Sequence, residues 1–295
     1  GLFFNFNGTA GVWRRSCIVS AGGWTHDTLT EDLDLSYRAQ LAGWRFVSVP
    51  MLVARAELPA DARALKSQQH RWTKGSIQTA RKLLPSLLRS RLPLAVKLEA
   101  CFHLTSNLAY PLLLLSGLLL LPVMTATSIL PPRLAVILDL SVIVTGIVPV
   151  VTFLALGQLA AGKRGWRVAG DVISVLVLGA GLSLNNSLAV IEGLGRSVGS
   201  WERTPKTGDG RPATRPGLYA PRRSWSAWAE ILLAVYFAWL AFITLGGAHW
   251  RSLPFIALLV VGLGRIGWLS LRSMHARHFE NPASIALHPR SAGEL

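Results

Sequence analysis

Up to residue 90, short apolar runs alternate with polar turns and helix-spaced segments; beyond it, long apolar runs are separated by short polar connections. Residues 2–6, LFFNF, are an apolar, aromatic run of strand type. NGTAG at 7–11 is turn chemistry, which serves either a plain strand-to-helix turn or a backbone passing close to a ligand. Residues 13–21 predict a short helix with Arg14 and Arg15 exposed, stopped by Gly22-Gly23. Thr30 stands where an N-cap would, with Glu31, Asp32 and Asp34 in the first turn, where acids suit the helix dipole. Leu33, Tyr37, Leu41 and Trp44 recur at helical spacing and Gly43 closes that helix. Residues 45–50 predict a second strand, ended by Glu57-Leu58-Pro59. From Asp61 a helix puts Gln68, Arg71 and Trp72 at i, i+3 and i+4, on one face, with Ser76 a turn further on. Alternating short strands and helices make this part α/β.

The later runs have the length of a bilayer. Residues 100–132 contain no charged side chain, and the core 104–124 is long enough to cross. A second run, 134–157, carries only Asp139; a third, 168–191, carries Asp171 and Asn185-Asn186; a fourth covers 231–250; a fifth, 253–271, holds Arg265. Between the third and fourth lies GSWERTPKTGDGRPATRPGLYAPRRS at 199–224, too rich in Gly, Pro and Arg for a core element. It reads as a mobile cytoplasmic loop, followed by Trp225, Trp228 and Tyr236 as interfacial belt residues.

Charge then assigns sides. Short connections rich in Lys and Arg stay cytoplasmic. The connections 125–133 and 247–252 hold one Arg each, Arg133 and Arg251, and should lie outside; 158–167 holds Lys163, Arg164 and Arg167 and should lie inside. If 168–191 crossed, the basic loop 193–227 would be outside. Laid along the cytoplasmic interface as an amphipathic helix, with its Asn and Ser side chains toward water or protein, 168–191 leaves every loop on its expected side. The expectation is four spans, an interfacial helix and a cytoplasmic tail, against five ordinary spans.

Of the 295 residues, 51% are hydrophobic, too many for an ordinary soluble domain. The 30 basic and 15 acidic residues give +15, but the basic ones sit mostly in the gaps between apolar runs, which favours a membrane protein over a nucleic-acid binder. Cys17 and Cys101 are far apart, without metal-ligand spacing, and read as small core residues. The opening GLFFNFNGTAG reads as a buried strand running into a loop, so the chain is expected to start inside a domain.

Acids, an arginine and an aromatic ahead of membrane runs fit sugar transfer at a membrane face. An acceptor hydroxyl that attacks an anomeric carbon needs a carboxylate to take its proton. Asp32, at a helix start beside an apolar wall, suits that, although capping alone also accounts for the acids. Departing phosphates need cations, and Arg71 offers a planar fork. Trp72 offers a flat apolar platform for a sugar ring.

FNGT at 6–9, TED at 30–32 and Q-x-x-R-W at 68–72, ahead of membrane spans, resemble the second half of a processive family 2 glycosyltransferase of the cellulose synthase and hyaluronan synthase group. The closest likeness is to CslA-type glucomannan 4-β-mannosyltransferase-like enzymes. WERTPKTG at 201–208 is similar to the F-x-V-T-x-K-G gating loop of cellulose synthases, with Trp201 for Phe and Arg203 for Val. The four motifs occur in the family's order over roughly residues 1–270.

The resemblance implies an α/β GT-A-type partial catalytic domain over 1–90 and an all-α membrane region after it. It implies Asp32 as general base supported by Glu31 and Thr30, and Gly8 and Thr9 near the acceptor end. Gln68, Arg71 and Trp72 would hold the donor diphosphate and acceptor sugar, with Thr204 and Lys206 reaching the nucleotide from the gating loop. It also implies a nucleotide-diphosphate sugar donor, a polysaccharide or glycolipid acceptor, and Mg or Mn. The group's base-contacting Asp and its metal-binding D-x-D belong to the first half of the domain, and no D-x-D precedes FNGT here; Asp32-Leu33-Asp34 has that spacing but belongs to TED. Metal ligands are therefore expected upstream, with none in this fragment, which alone is expected to be inactive. The expectation is an inverting, processive β-glycosyltransferase of the inner or plasma membrane. The rivals are transfer of one sugar to a lipid acceptor and a non-catalytic channel or partner subunit with a degenerate transferase half.

Overall fold

Three helices carry the segment before the membrane runs: α1 Arg15–Ser20, α2 Glu31–Leu41 and α3 Ala62–Arg89. The computed structural model describes residues 2–49, 51–59, 61–127, 131, 133–134, 136–137, 147–199, 225–245 and 249–279, of which 127 and 274–279 by backbone only. α1 and α2 share a small core of Cys17, Ala21, Leu35 and Ala39, closed by Trp13, Trp44 and Phe46. A second core joins Phe3, Leu33 and Tyr37 to Ala80, Leu83 and Leu87 of α3 and to the next helix.

The predicted helices are present, whereas no strand is assigned among the described residues. Segment 2–6 instead lies against α2. The Phe4 N–H donates to Gln40 Oε1 at 3.1 Å and the Phe4 carbonyl accepts from Gln40 Nε2 at 2.9 Å. The Phe6 N–H donates to Ser36 Oγ at 3.0 Å. Backbone groups that a sheet would pair are satisfied by α2 side chains.

The apolar region continues with α4 Leu94–Thr105, a 3-10 turn at Ser106–Leu108, α5 Ala109–Thr127, α6 Val148–Ala160, α7 Trp166–Leu194, α8 Trp225–Thr244 and α9 Leu253–Phe279. Tyr37 on α2 and His103 Nδ1 on α4 share a 2.7 Å hydrogen bond, tying the two regions together. Four stretches are long and apolar enough to cross a membrane: Leu94–Ala126, Trp166–Leu194, Trp225–Thr244 and Trp250–Ser273. Large apolar side chains such as Leu112, Leu232 and Phe242 stand exposed on them, as on lipid-facing helices of a multi-pass membrane protein. Of the predicted run 134–157, the described part is chiefly the short helix α6, and Asp139 lies outside the described residues.

Small residues set how these helices cross. A Cβ on Gly181 of α7 would meet the Gly262 carbonyl of α9 at 2.5 Å, and one on Gly193 would meet the Lys74 carbonyl of α3 at 2.9 Å. Backbones approach this closely only where side chains are missing. α7 therefore rests on α9 at its middle and on α3 at its end. Its Ser183, Asn186 and Ser187 are buried against protein, while Ile173, Ile191 and Leu194 are exposed. At 29 residues it is long enough to span, and its polar face is turned into the molecule.

Candidate active site

The turn that carries Thr30, Glu31 and Asp32 is held from behind by α3. An interior helix glycine costs about 1 kcal/mol relative to Ala, so Gly75 needs a packing reason. A Cβ there would lie 2.5 Å from Thr30 Cγ2 and 2.8 Å from its backbone nitrogen. Gln78 Oε1 accepts from the Leu29 N–H at 3.0 Å, and the Thr30 and Thr79 hydroxyls pair at 3.3 Å. Thr30 is the N-cap residue by position but makes no side-chain cap hydrogen bond. The expected cap fails because packing against Gly75 turns the hydroxyl to Thr79.

Asp32 faces the other way, toward the NGT turn. A Cβ on Gly8 would lie 2.6 Å from Asp32 Oδ2, and Gly8 has φ +72°, so both space and conformation call for glycine. Thr9 next to it is exposed, its hydroxyl donating to Asn7 Oδ1 at 2.7 Å. The Ser36 hydroxyl donates to the Asp32 carbonyl at 2.6 Å and accepts from the Phe6 N–H, linking the two turns.

Burial pushes the Asp32 carboxyl above the usual carboxylate range, and the Glu31 charge adds to this. The Leu33 N–H, donating to Asp32 Oδ1 at 2.8 Å, and the Arg71 guanidinium pull the other way. Arg71 is half-buried on α3, as is Gln68 one turn before it, and Trp72 presents a 45% exposed indole. The structure thus sets Gly8 against Asp32 and leaves Asp32 within the field of Arg71, with Thr9, Glu31 and Trp72 beside them in the chain. Thr204 and Lys206 lie outside the described residues.

Asp34, which the sequence offers as one more first-turn acid, is fully buried and bound to other groups. It pairs with Arg38 at 2.7 Å and Lys82 at 2.9 Å, and accepts from the Thr25 hydroxyl at 2.8 Å. Arg38 extends the network to the Gly23 carbonyl at 2.8 Å and to the Ala21 carbonyl. With Asp34 so engaged, Asp32-Leu33-Asp34 does not fit a divalent cation. Among the described residues no three His, Cys, Asp or Glu are grouped to hold one.

The roles of Gln78, Thr79 and Lys82 were not visible in the sequence; the mid-helix Gly75 was the available signal. Lys66, near the start of α3, is a further case. It forms a buried ion pair with Glu230 of α8 at 2.6 Å and donates to Ser226 Oγ at 3.1 Å, while its carbonyl accepts from Asn185 of α7 at 3.0 Å.

Residues 3–162 match the family model described as Glycosyl transferase family group 2. The chain is 33% identical over 285 residues to a probable glucomannan 4-beta-mannosyltransferase 3 of Oryza sativa subsp. japonica, covering 92% of this chain and 50% of that protein. It is 50% identical over 88 residues to glucomannan 4-beta-mannosyltransferase 7 of Arabidopsis thaliana, covering 30% of this chain and 16% of that protein. Glucomannan 4-beta-mannosyltransferase 1 of Oryza sativa subsp. japonica is 47% identical over 89 residues, 30% of this chain and 17% of that protein. The chain spans half, or less, of the length of these relatives in the matched regions. No solved structure matches it.

Proposed function

The chain belongs to glycosyl transferase family group 2, and on that premise we propose that its parent protein is an inverting membrane glycosyltransferase extending a β-linked polysaccharide from a nucleotide-diphosphate sugar. The names of its relatives make a β-1,4-linked mannosyl unit the first candidate. The observation that carries the reading is Asp32, a half-buried carboxylate pushed upward by burial, set against the Gly8 turn and within the field of Arg71.

In this reading the acceptor hydroxyl lies by Gly8 and Thr9 and loses its proton to Asp32 as its oxygen attacks the anomeric carbon. The bond from that carbon to the diphosphate breaks, and attack from the opposite face inverts the configuration. Arg71 meets the departing diphosphate as a planar cation, Gln68 donates to the same ligands, and Trp72 supplies the sugar platform. Glu31 and Thr30 set the position and proton affinity of the base. Thr204 and Lys206 approach the nucleotide from the basic loop. The reaction is proposed to use Mg or Mn, which Asp32-Leu33-Asp34 does not suit because Asp34 is held by Arg38 and Lys82. The catalytic part and the C-terminal tail face the cytoplasm, with α7 along the interface.

The test is product analysis. Membranes containing the full-length protein and labelled nucleotide-diphosphate hexoses should yield a polymer released by a β-specific glycosidase. A single-sugar lipid product would contradict polymer extension, and an α-linked product would contradict inversion.

A further inference from the structure

α3 presents two adjoining faces to two different partners, and Gln78 belongs to both. On one side Gly75, Gln78, Thr79 and Lys82, at helical spacing, receive Thr30, Leu29, Thr30 again and Asp34. On the other, Lys74, Ile77, Gln78 and Arg81 receive the end of α7. Gly193 packs on Ile77, Lys74 pairs with Glu192 at 3.5 Å, and Arg81 donates to the Leu194 carbonyl at 2.8 Å and to the Gly195 carbonyl. Gly199, at φ +85°, lies against Lys74, where a Cβ would stand 2.8 Å from Nζ.

The Gln78 amide, 3% exposed, uses both of its ends. Oε1 accepts from the Leu29 N–H at 3.0 Å; Nε2 donates to the Val198 carbonyl at 3.1 Å and the Ser197 carbonyl at 3.3 Å. We propose that Gln78 is a positioning residue for Asp32, fixing the backbone just ahead of Thr30-Glu31-Asp32 in register with the backbone that follows α7. This rests on the reading of Asp32 as base. A buried amide with partners on both sides cannot shift toward one without breaking its bonds to the other. The placement of Asp32 is thereby tied to the placement of residues 197–199, with Glu31 and Arg71 the charged groups facing the carboxylate.

Two substitutions in the full-length protein separate the halves of the bridge. Gln78→Leu removes both, whereas Gln78→Glu keeps an acceptor for the Leu29 N–H and loses the donor to Ser197 and Val198. Hydrogen exchange at the Leu29 amide should rise in Q78L and stay slow in Q78E. Turnover per inserted molecule should fall about tenfold to a hundredfold in both, as a small misplacement does, with donor KM little changed. The acid limb of the rate should move to lower pH in Q78L alone, because a loosened turn lets water reach Asp32. Slow Leu29 exchange in Q78L, or wild-type turnover by Q78E, overturns the proposal; if Q78L does not insert, Q78E turnover decides. A lower yield of Q78L with normal turnover and an unmoved acid limb shows a merely structural residue and also overturns it. Full sugar incorporation by an Asp32→Asn control, with fast Leu29 exchange in Q78L, would leave the bridge standing and remove Asp32 as the base.

Discussion

A carboxylate taken out of water and set beside a second carboxylate holds its proton longer, and that is the situation of Asp32 next to Glu31, with Arg71 opposing. A base must be ionised to work, so activity should fall on the acid side at a higher pH than an ordinary aspartate would give. The pH profile of sugar incorporation by the full-length protein checks this. The effect on stability has the opposite sense. A carboxyl whose folded value is raised favours the folded state below its unfolded value, and that contribution is lost as pH rises through the folded value. The residue types around Asp32 were legible because TED, FNGT and Q-x-x-R-W name them. The use of the Thr30 hydroxyl was not, since it depends on the missing Cβ of Gly75, forty-five positions along the sequence.

Helices α2, α3 and the apolar helices could be read from periodicity and length, which are local signals. The strands predicted at 2–6 and 45–50 have no ladder among the described residues, because pairing depends on a partner that an apolar run does not specify. At 4–6 side chains of α2 satisfy the backbone instead. The Lys66–Glu230 pair was equally hidden, joining α3 to α8 across 164 positions. Lys66→Met would leave the buried Glu230 carboxylate without its cation and should destabilise the protein by about 3–5 kcal/mol. Lys66→Met with Glu230→Met should recover most of that loss. Thermal unfolding in detergent distinguishes the two variants; equal loss in both would show that the pair is not coupled.

At the scale of the whole molecule, α7 connects the halves, packed on α9 through Gly181 and on α3 through Gly193. Charge counting predicts a place for it along the cytoplasmic face, and its Ser183, Asn186 and Ser187 are buried within the molecule. Cysteines at 163 and 196, before and after α7, should therefore react with an impermeant reagent from the same side of the membrane, opposite to a cysteine at 251. Labelling of 163 and 196 from opposite sides would make α7 a span. Sugar transfer by the full-length protein is proposed to depend on Asp32 as its base. The most direct measurement is labelled-sugar incorporation by membranes carrying full-length Asp32→Asn, normalised to inserted protein. Loss of incorporation by about a hundredfold or more, the scale of a missing general base, is the predicted result; wild-type incorporation would contradict it.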